Sequence, residues 1–166
     1  MTNGAGAGWG GASVVALLVV AILAAACAQA PLPGRLAGLT RTRLYTGLRA
    51  VRMLNELHTH SLAPHSAAVG VYGRGGELRV WLARFADGAE AQQVLRSMVG
   101  ELQSDSSPFS PPRQQRDHPN RFYTVGPGGH HVFWVAGDGV YWLEARPDLI
   151  DGALEGLPGP PAGSWT

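Results

Sequence analysis

The chain has 166 residues and a formal net charge of +1, so it is long enough for one domain with an appendage and has no overall charge that would attract nucleic acid. Its single cysteine excludes an intramolecular disulfide framework, a thiolate zinc site and a Cys-x-x-Cys redox pair. All thirteen basic residues are arginines, and eight of them lie between residues 31 and 84, beside the apolar N-terminal segment.

Residues 1–30 form this apolar segment, which we expect to be a signal peptide or a membrane anchor. No charged side chain precedes Arg35, and the strongly apolar stretch 14–23 has the ten-residue length that is typical of a signal peptide. Three alanines separate Leu23 from Cys27, an arrangement that resembles the lipobox of bacterial lipoproteins. The resemblance implies a lipid anchor on Cys27, which would account for the lone thiol.

Two other interpretations of this segment stay open. Residues 10–30 are twenty-one uncharged residues, enough for an uncleaved spanning helix. The arginines that follow would then place the domain in the cytoplasm by the positive-inside rule. Alternatively, an ordinary signal peptidase would cut among the small residues 26–28 and release the domain. We expect membrane attachment, and we favour export to the periplasm or cell surface over a cytoplasmic domain.

A proline- and glycine-rich linker, residues 31–40, leads to a single domain that we expect over residues 41–157. Its first element is predicted to be a basic amphipathic helix within residues 36–60, because apolar side chains recur there at helical spacing. These side chains are Leu44, Leu48, Val51 and Leu54.

Local signals define the next elements. Alternating apolar residues around a glycine-rich turn predict a hairpin with strands at 67–72 and 77–85. Asp87 and Glu90 form a capping pattern ahead of an apolar stripe, which predicts a helix over residues 88–103.

Residues 104–120 contain four prolines and four serines, which predict a long loop. Three aromatic-rich strands follow, and a short helix is predicted to begin at Pro147. The strands are predicted at residues 121–125, 130–136 and 140–146, and residues 158–166 are predicted to be a disordered tail.

This order of elements, α-β-β-α-β-β-β-α, predicts an α+β fold. We expect an antiparallel sheet of about five strands with the helices packed on one of its faces.

Catalytic signals are weak. The sequence has no G-x-S-x-G elbow, and its glycine-rich stretches join strands instead of opening a helix that would bind phosphate. An enzyme or metal site would have to combine His118 or Asp117 with either His130 or His131, since adjacent residues in a strand point to opposite faces. We expect no cofactor and keep this enzyme as the third hypothesis.

A binding function is favoured, because a long polar loop beside a rigid aromatic sheet is where recognition residues tend to lie. The candidate contacts to a ligand or protein partner through the loop and the following strand are Phe109, Arg113, Arg116, His118, His130 and His131. The first hypothesis is therefore a membrane-tethered lipoprotein of the bacterial cell envelope with a non-catalytic binding or accessory domain. The second is a single-pass subunit of a membrane complex with its domain in the cytoplasm.

Overall fold

The structure is a computed structural model that describes residues 31–57, 61–116 and 118–159, together with Met1. The chain divides into two compact units, residues 1–30 and residues 31–166, and the described elements belong to the second. The expected signal or anchor segment with Cys27 therefore lies outside the described residues, as does most of the expected tail. No helix of the described ranges is long and apolar enough to cross a membrane.

Eight strands and three helices make up the described part of the chain. The strands are β1 Arg35–Leu36, β2 Leu39–Thr46, β3 Ser66–Tyr72, β4 Leu78–Arg84, β5 Arg113–Gln115, β6 His118–Gly126, β7 Gly129–Ala136 and β8 Gly139–Ala145. The helices are α1 Gly47–Asn55, α2 Gly88–Leu102 and α3 Pro147–Glu155.

The strands form one sheet in the order β1-β2-β3-β4-β8-β7-β6-β5, and every neighbouring pair is antiparallel. The chain builds the first four strands as one half and the last four as the other, with α2 between the halves in sequence. The halves join where β8 pairs with β4, and Trp81 lies opposite Trp142 in that register.

Helices cover both faces of this sheet. We call the face under α1 and α2 the front face; its core contains Leu54 of α1 and Leu95 of α2, packed with Trp81 and Phe133 from the strands. We call the opposite face the back face. Its core is covered by α3 and by the residues that precede β2.

The predicted fold is wrong in its strand number and in the placement of its helices. The sheet has eight strands instead of about five, and the helices do not share one face. Strand β4 shows the physical reason, because Leu82 on one side and Ala83 on the other are both buried. A sheet that is buried on both faces needs a layer of cover on each side.

The prediction of a first helix within residues 36–60 is also wrong for the residues before Gly47. Residues 39–46 form β2, and the helix begins only at Gly47, whose φ of +59° is available to glycine but costly for other residues. Leu44 packs on the back face, Leu54 on the front face, and Leu48 is 82% exposed. The apolar spacing therefore did not mark one helical face.

Part of the predicted loop 104–120 is strand. Residues 113–115 form β5, and β6 begins at His118 instead of residue 121. Two polar side chains are fully buried here: the Arg121 guanidinium donates to Gln115 Oε1 at 3.2 Å and lies 5.5 Å from the Trp134 ring. Burial lowers the pKa of Arg121 to about 10. The remaining loop is residues 103–112.

Other local predictions are confirmed. The hairpin, the helix over residues 88–103, the three aromatic strands and the helix from Pro147 all occur at nearly the expected residues.

Candidate functional site

A cavity of about 600 Å³ lies on the front face, between the strands and the elements that cover them. Its floor is formed by β4, β7 and β8, and its walls by the end of α1, by α2 and by the loop after α2. The volume falls within the range of about 300–1,000 Å³ that small-molecule sites occupy. Most lining side chains are apolar or aromatic, among them Leu54, Trp81, Ala83, Val94, Met98, Leu102, Phe109, Val140 and Trp142.

Helix α2 forms one wall, and its start is held by two caps. The Asp87 carboxylate accepts hydrogen bonds from the backbone N–H groups of Ala89 at 2.8 Å and Glu90 at 2.9 Å. The Glu90 carboxylate accepts one from the N–H of Ala86 at 2.9 Å, one residue before the position that the sequence pattern predicted. Such caps satisfy donors that a helix start leaves unpaired, and they fix where the apolar stripe of α2 meets the cavity.

The loop of residues 103–112 forms another wall and is tied to β6 through Ser110. The Ser110 N–H donates to the Val125 carbonyl at 2.8 Å, and the Val125 N–H donates to Ser110 Oγ at 3.0 Å. The fully buried Thr124 hydroxyl donates to the Ser110 carbonyl at 2.6 Å. These bonds place Phe109 beside Gly126, where an added Cβ would overlap the phenyl ring.

Phe109 packs with His131 and Trp142 in an aromatic cluster. Its ring meets the other two edge-on, with centroids 5.1 Å and 5.6 Å away. Trp142 in turn stacks on Phe133 at 5.0 Å. Aromatic pairs of this kind contribute about 0.5–1.5 kcal/mol beyond their buried area. The cluster therefore gives the cavity a well-packed aromatic wall.

His131 is 2% exposed, and both of its ring nitrogens are engaged. Nδ1 accepts a hydrogen bond from the Trp142 indole N–H at 3.0 Å, so Nε2 carries the proton and donates to the Pro127 carbonyl at 2.9 Å. Burial lowers the pKa of His131, the Pro127 carbonyl opposes this shift, and the neighbouring His130 adds to it. The imidazole is thus held neutral in one tautomer and offers a ligand no free nitrogen.

Glu144 supplies a carboxylate to the cavity. It follows Trp142 by two residues in β8, so both side chains lie on the front face, and its register partner in β7 is His131. Burial raises the pKa of the Glu144 carboxyl, and Arg79 opposes the shift. The closest Arg79–Glu144 nitrogen–oxygen distance is 3.8 Å, which is too long for a hydrogen bond.

The residues predicted as contacts do not form one site. Phe109 and His131 both line the cavity. His130 lies on the back face, where it hydrogen-bonds to the hydroxyl of Tyr123, and Arg113 lies over the Tyr123 ring at 4.9 Å.

The other two candidates lie near the β5–β6 turn. Arg116 is exposed in that turn, and His118 is the first residue of β6, paired in register with Gln115. The predicted loop thus divides between the cavity, through Phe109, and the outer edge of the sheet, through its arginines.

No metal centre is formed by the part of the chain that the structure describes, because no group of three or more His, Cys, Asp or Glu side chains there is arranged to hold an ion. His130 and His131 point to opposite faces, as adjacent strand residues must. Asp117, the alternative partner proposed for them, lies outside the described residues.

Sequence reasoning missed Trp81, Trp142 and Glu144 as site residues. Trp142 and Glu144 are two residues apart in β8 and share one of its faces. The carboxylate on this otherwise apolar strand face was the sequence signal that could have indicated a site. Trp142 and Glu144 lie near Trp81 because β8 pairs with β4, and this pairing joins residues about sixty positions apart. No local pattern encodes that pairing.

Comparison of the chain with protein-family models, with curated proteins and with solved structures finds no match in any of the three.

Proposed function

We propose that this domain is a non-catalytic binding module that takes a small, mainly apolar ligand into the front-face cavity. The observation that carries the proposal is the cavity itself, about 600 Å³ lined by apolar and aromatic side chains. An apolar concave space of this size is typical of a ligand site.

Binding fits this site better than catalysis does. Among the described lining residues the histidine is His131, which uses both nitrogens in hydrogen bonds to Trp142 and Pro127. A general base needs a free lone pair within reach of its substrate. The half-buried rings of Trp142 and Phe109 supply contact area for a ligand instead.

The proposal is tested with the full chain in nanodiscs of phosphatidylcholine, by calorimetric titration of 4-phenylbutanol and of 4-phenylbutylamine. Val94→Phe places a larger side chain in the cavity wall, and Val125→Phe makes the same change at a position that is 40% exposed. We expect V94F to weaken probe binding by at least about tenfold and V125F to leave it unchanged. Failure of both probes to bind, or equal binding by V94F and the wild type, would contradict the proposal.

We also propose that the domain is tethered to a bacterial membrane through lipidated Cys27 and is exported. The lipobox-like sequence at residues 23–27 and the proline-rich stretch after it support this proposal. Helix α1 adds support, because Leu48 is 82% exposed and Arg49 and Arg52 of the same helix are exposed as well, a combination that suits anionic lipid.

The intact mass of the protein from the membranes of its native host tests the tether. Loss of residues 1–26 with a diacylglyceryl-type adduct on Cys27 is expected. An unmodified full-length mass would instead favour the uncleaved helix with a cytoplasmic domain, because the arginines after residue 30 would then act as the topology signal.

A further inference from the structure

We infer that the ligand of the front-face cavity is a hydrophobic organic cation, with an apolar body among the core side chains and an ammonium group near Glu144. This inference rests on the proposed binding function and names the chemical class of the ligand.

The charged side chains among the described lining residues of the cavity are all carboxylates. The lining contains the carboxylates Glu56, Glu101 and Glu144, and none of the thirteen arginines of the chain is among the lining residues. His131, which also belongs to the described lining, has a pKa lowered by burial and is neutral at pH 7. A cation therefore enters a complementary field, and an anion would meet repulsion from the carboxylates.

Aromatic rings are placed beside these carboxylates. Trp81, Trp142 and Phe109 line the same cavity as Glu144, and ring faces attract organic cations, with tryptophan the most effective. The guanidinium of Arg79 already lies over the Trp81 ring at 5.2 Å. The site thus combines a carboxylate and aromatic surfaces, the two features that proteins use to recognise alkylammonium groups.

Glu144 is the carboxylate best placed to receive the cation. It lies on the floor of the cavity in β8, two residues from Trp142 and opposite His131. Arg79, at 3.8 Å, balances its charge without hydrogen-bonding to it, so the carboxylate oxygens keep acceptor capacity toward a ligand ammonium group.

The cavity volume indicates that the ligand also has an apolar part. An ammonium group alone would fill little of about 600 Å³, and Leu54, Val94 and Met98 surround the rest of the space. A phenylalkyl or similar body of drug-like size would cover these side chains.

The test compares three probes that share a phenylbutyl body and differ in charge: 4-phenylbutylamine, 4-phenylbutanol and 4-phenylbutyrate. Each is titrated into the full chain in phosphatidylcholine nanodiscs, with V94F nanodiscs subtracted as the partitioning control. We expect the amine to bind about tenfold or more tightly than the alcohol, and the carboxylate to bind most weakly.

Glu144→Gln keeps the side-chain shape and removes the charge, and Glu155→Gln makes the same change at an exposed position of α3. E144Q is expected to lower amine affinity about tenfold and alcohol affinity by much less, and E155Q is expected to change neither. Equal or tighter binding of the alcohol or the carboxylate, or an unchanged amine preference in E144Q, would overturn the cation assignment while the binding module stands. Absence of cavity-dependent binding for all three probes would overturn the binding module as well.

Discussion

Gly126 allows the Phe109 ring to lie against the strand at the end of β6. Its φ is not in the left-handed region, so the backbone allows alanine, and the nearest atoms to an added Cβ belong to the phenyl ring of Phe109. The position of Phe109 in the aromatic wall of the cavity therefore depends on Gly126 having no side chain.

We expect Gly126→Ala to displace Phe109 from His131 and Trp142 and to lower the free energy of unfolding by about 1–3 kcal/mol. Gly100→Ala is the matched control, because a Cβ at that exposed helical position meets no atom within 4 Å and gains helix propensity of up to about 1 kcal/mol. Chemical denaturation of both variants measures the difference. Equal stability of G126A and the wild type would show that Phe109 contributes nothing there.

His131 makes the stability of the domain depend on pH. Its pKa in the folded protein is lowered by burial, so just below the ordinary value of 6.5 the unfolded chain binds a proton that the folded one does not. The contribution of His131 is therefore fully present above pH 6.5 and is lost as the pH falls toward its lowered pKa. Glu144 acts in the opposite direction, because its raised pKa makes the folded state bind the extra proton.

The difference between the wild type and His131→Gln isolates this effect, since both proteins retain Glu144. Between about pH 7.5 and pH 5.5 we expect the melting temperature of the wild type to fall more steeply than that of H131Q. His65→Gln, at an exposed position, should keep the wild-type dependence. Parallel curves for the wild type and H131Q would show that the imidazole titrates equally in both states.

At the scale of elements, the N-terminal cap of α2 fixes where this helix begins, and α2 forms one wall of the cavity. Asp87→Ala removes the acceptor for the N–H groups of Ala89 and Glu90, and we expect it to lower the free energy of unfolding by about 1 kcal/mol. Asp105→Ala, in the exposed loop after α2, should have no comparable effect. Thermal unfolding of the two variants provides the measurement, and an equal melting temperature for both would contradict the role of this cap.

Elements with strong local signals were predictable from the sequence, and elements defined by distant partners were not. The cap of α2 and the alternation of β4 are contained in a few neighbouring residues. In contrast, β5 is three polar residues long, and its place in the sheet follows from pairing with β6. The prediction for β2 failed for another reason. Leu44 fits a helical period with the apolar residues of α1, while four polar residues in a row (40–43) leave β2 without the alternation that marks a strand.

The site residues likewise divide into those that local sequence indicates and those that only distant strand pairing brings together. Phe109 and His131 were predictable as candidates, because one lies in a polar loop and the other is a histidine in an aromatic strand. Trp81 and Glu144 join them only through the register of β4, β8 and β7. That register is set by the packing of both faces, which the expected five-strand sheet did not include.

At the scale of the whole molecule, the two faces of the sheet differ in how they are filled. On the back face, α3 and Leu32 pack on a core that includes Tyr72 and Trp134. On the front face, α1, α2 and the loop of residues 103–112 border a cavity of about 600 Å³. The binding function proposed here follows from that asymmetry.

The methyl groups of methionine test this account most directly. The chain has three methionines; Met98 lines the cavity, whereas Met53 packs against the same front-face core and is not a lining residue. We therefore propose to record methyl NMR spectra of the full chain, labelled with ¹³C-methyl methionine, during titration with 4-phenylbutylamine. A saturable shift of the Met98 signal, with the Met53 signal unmoved, is the predicted result. An unmoved Met98 signal while the probe binds would place the ligand elsewhere and contradict the cavity as the binding site.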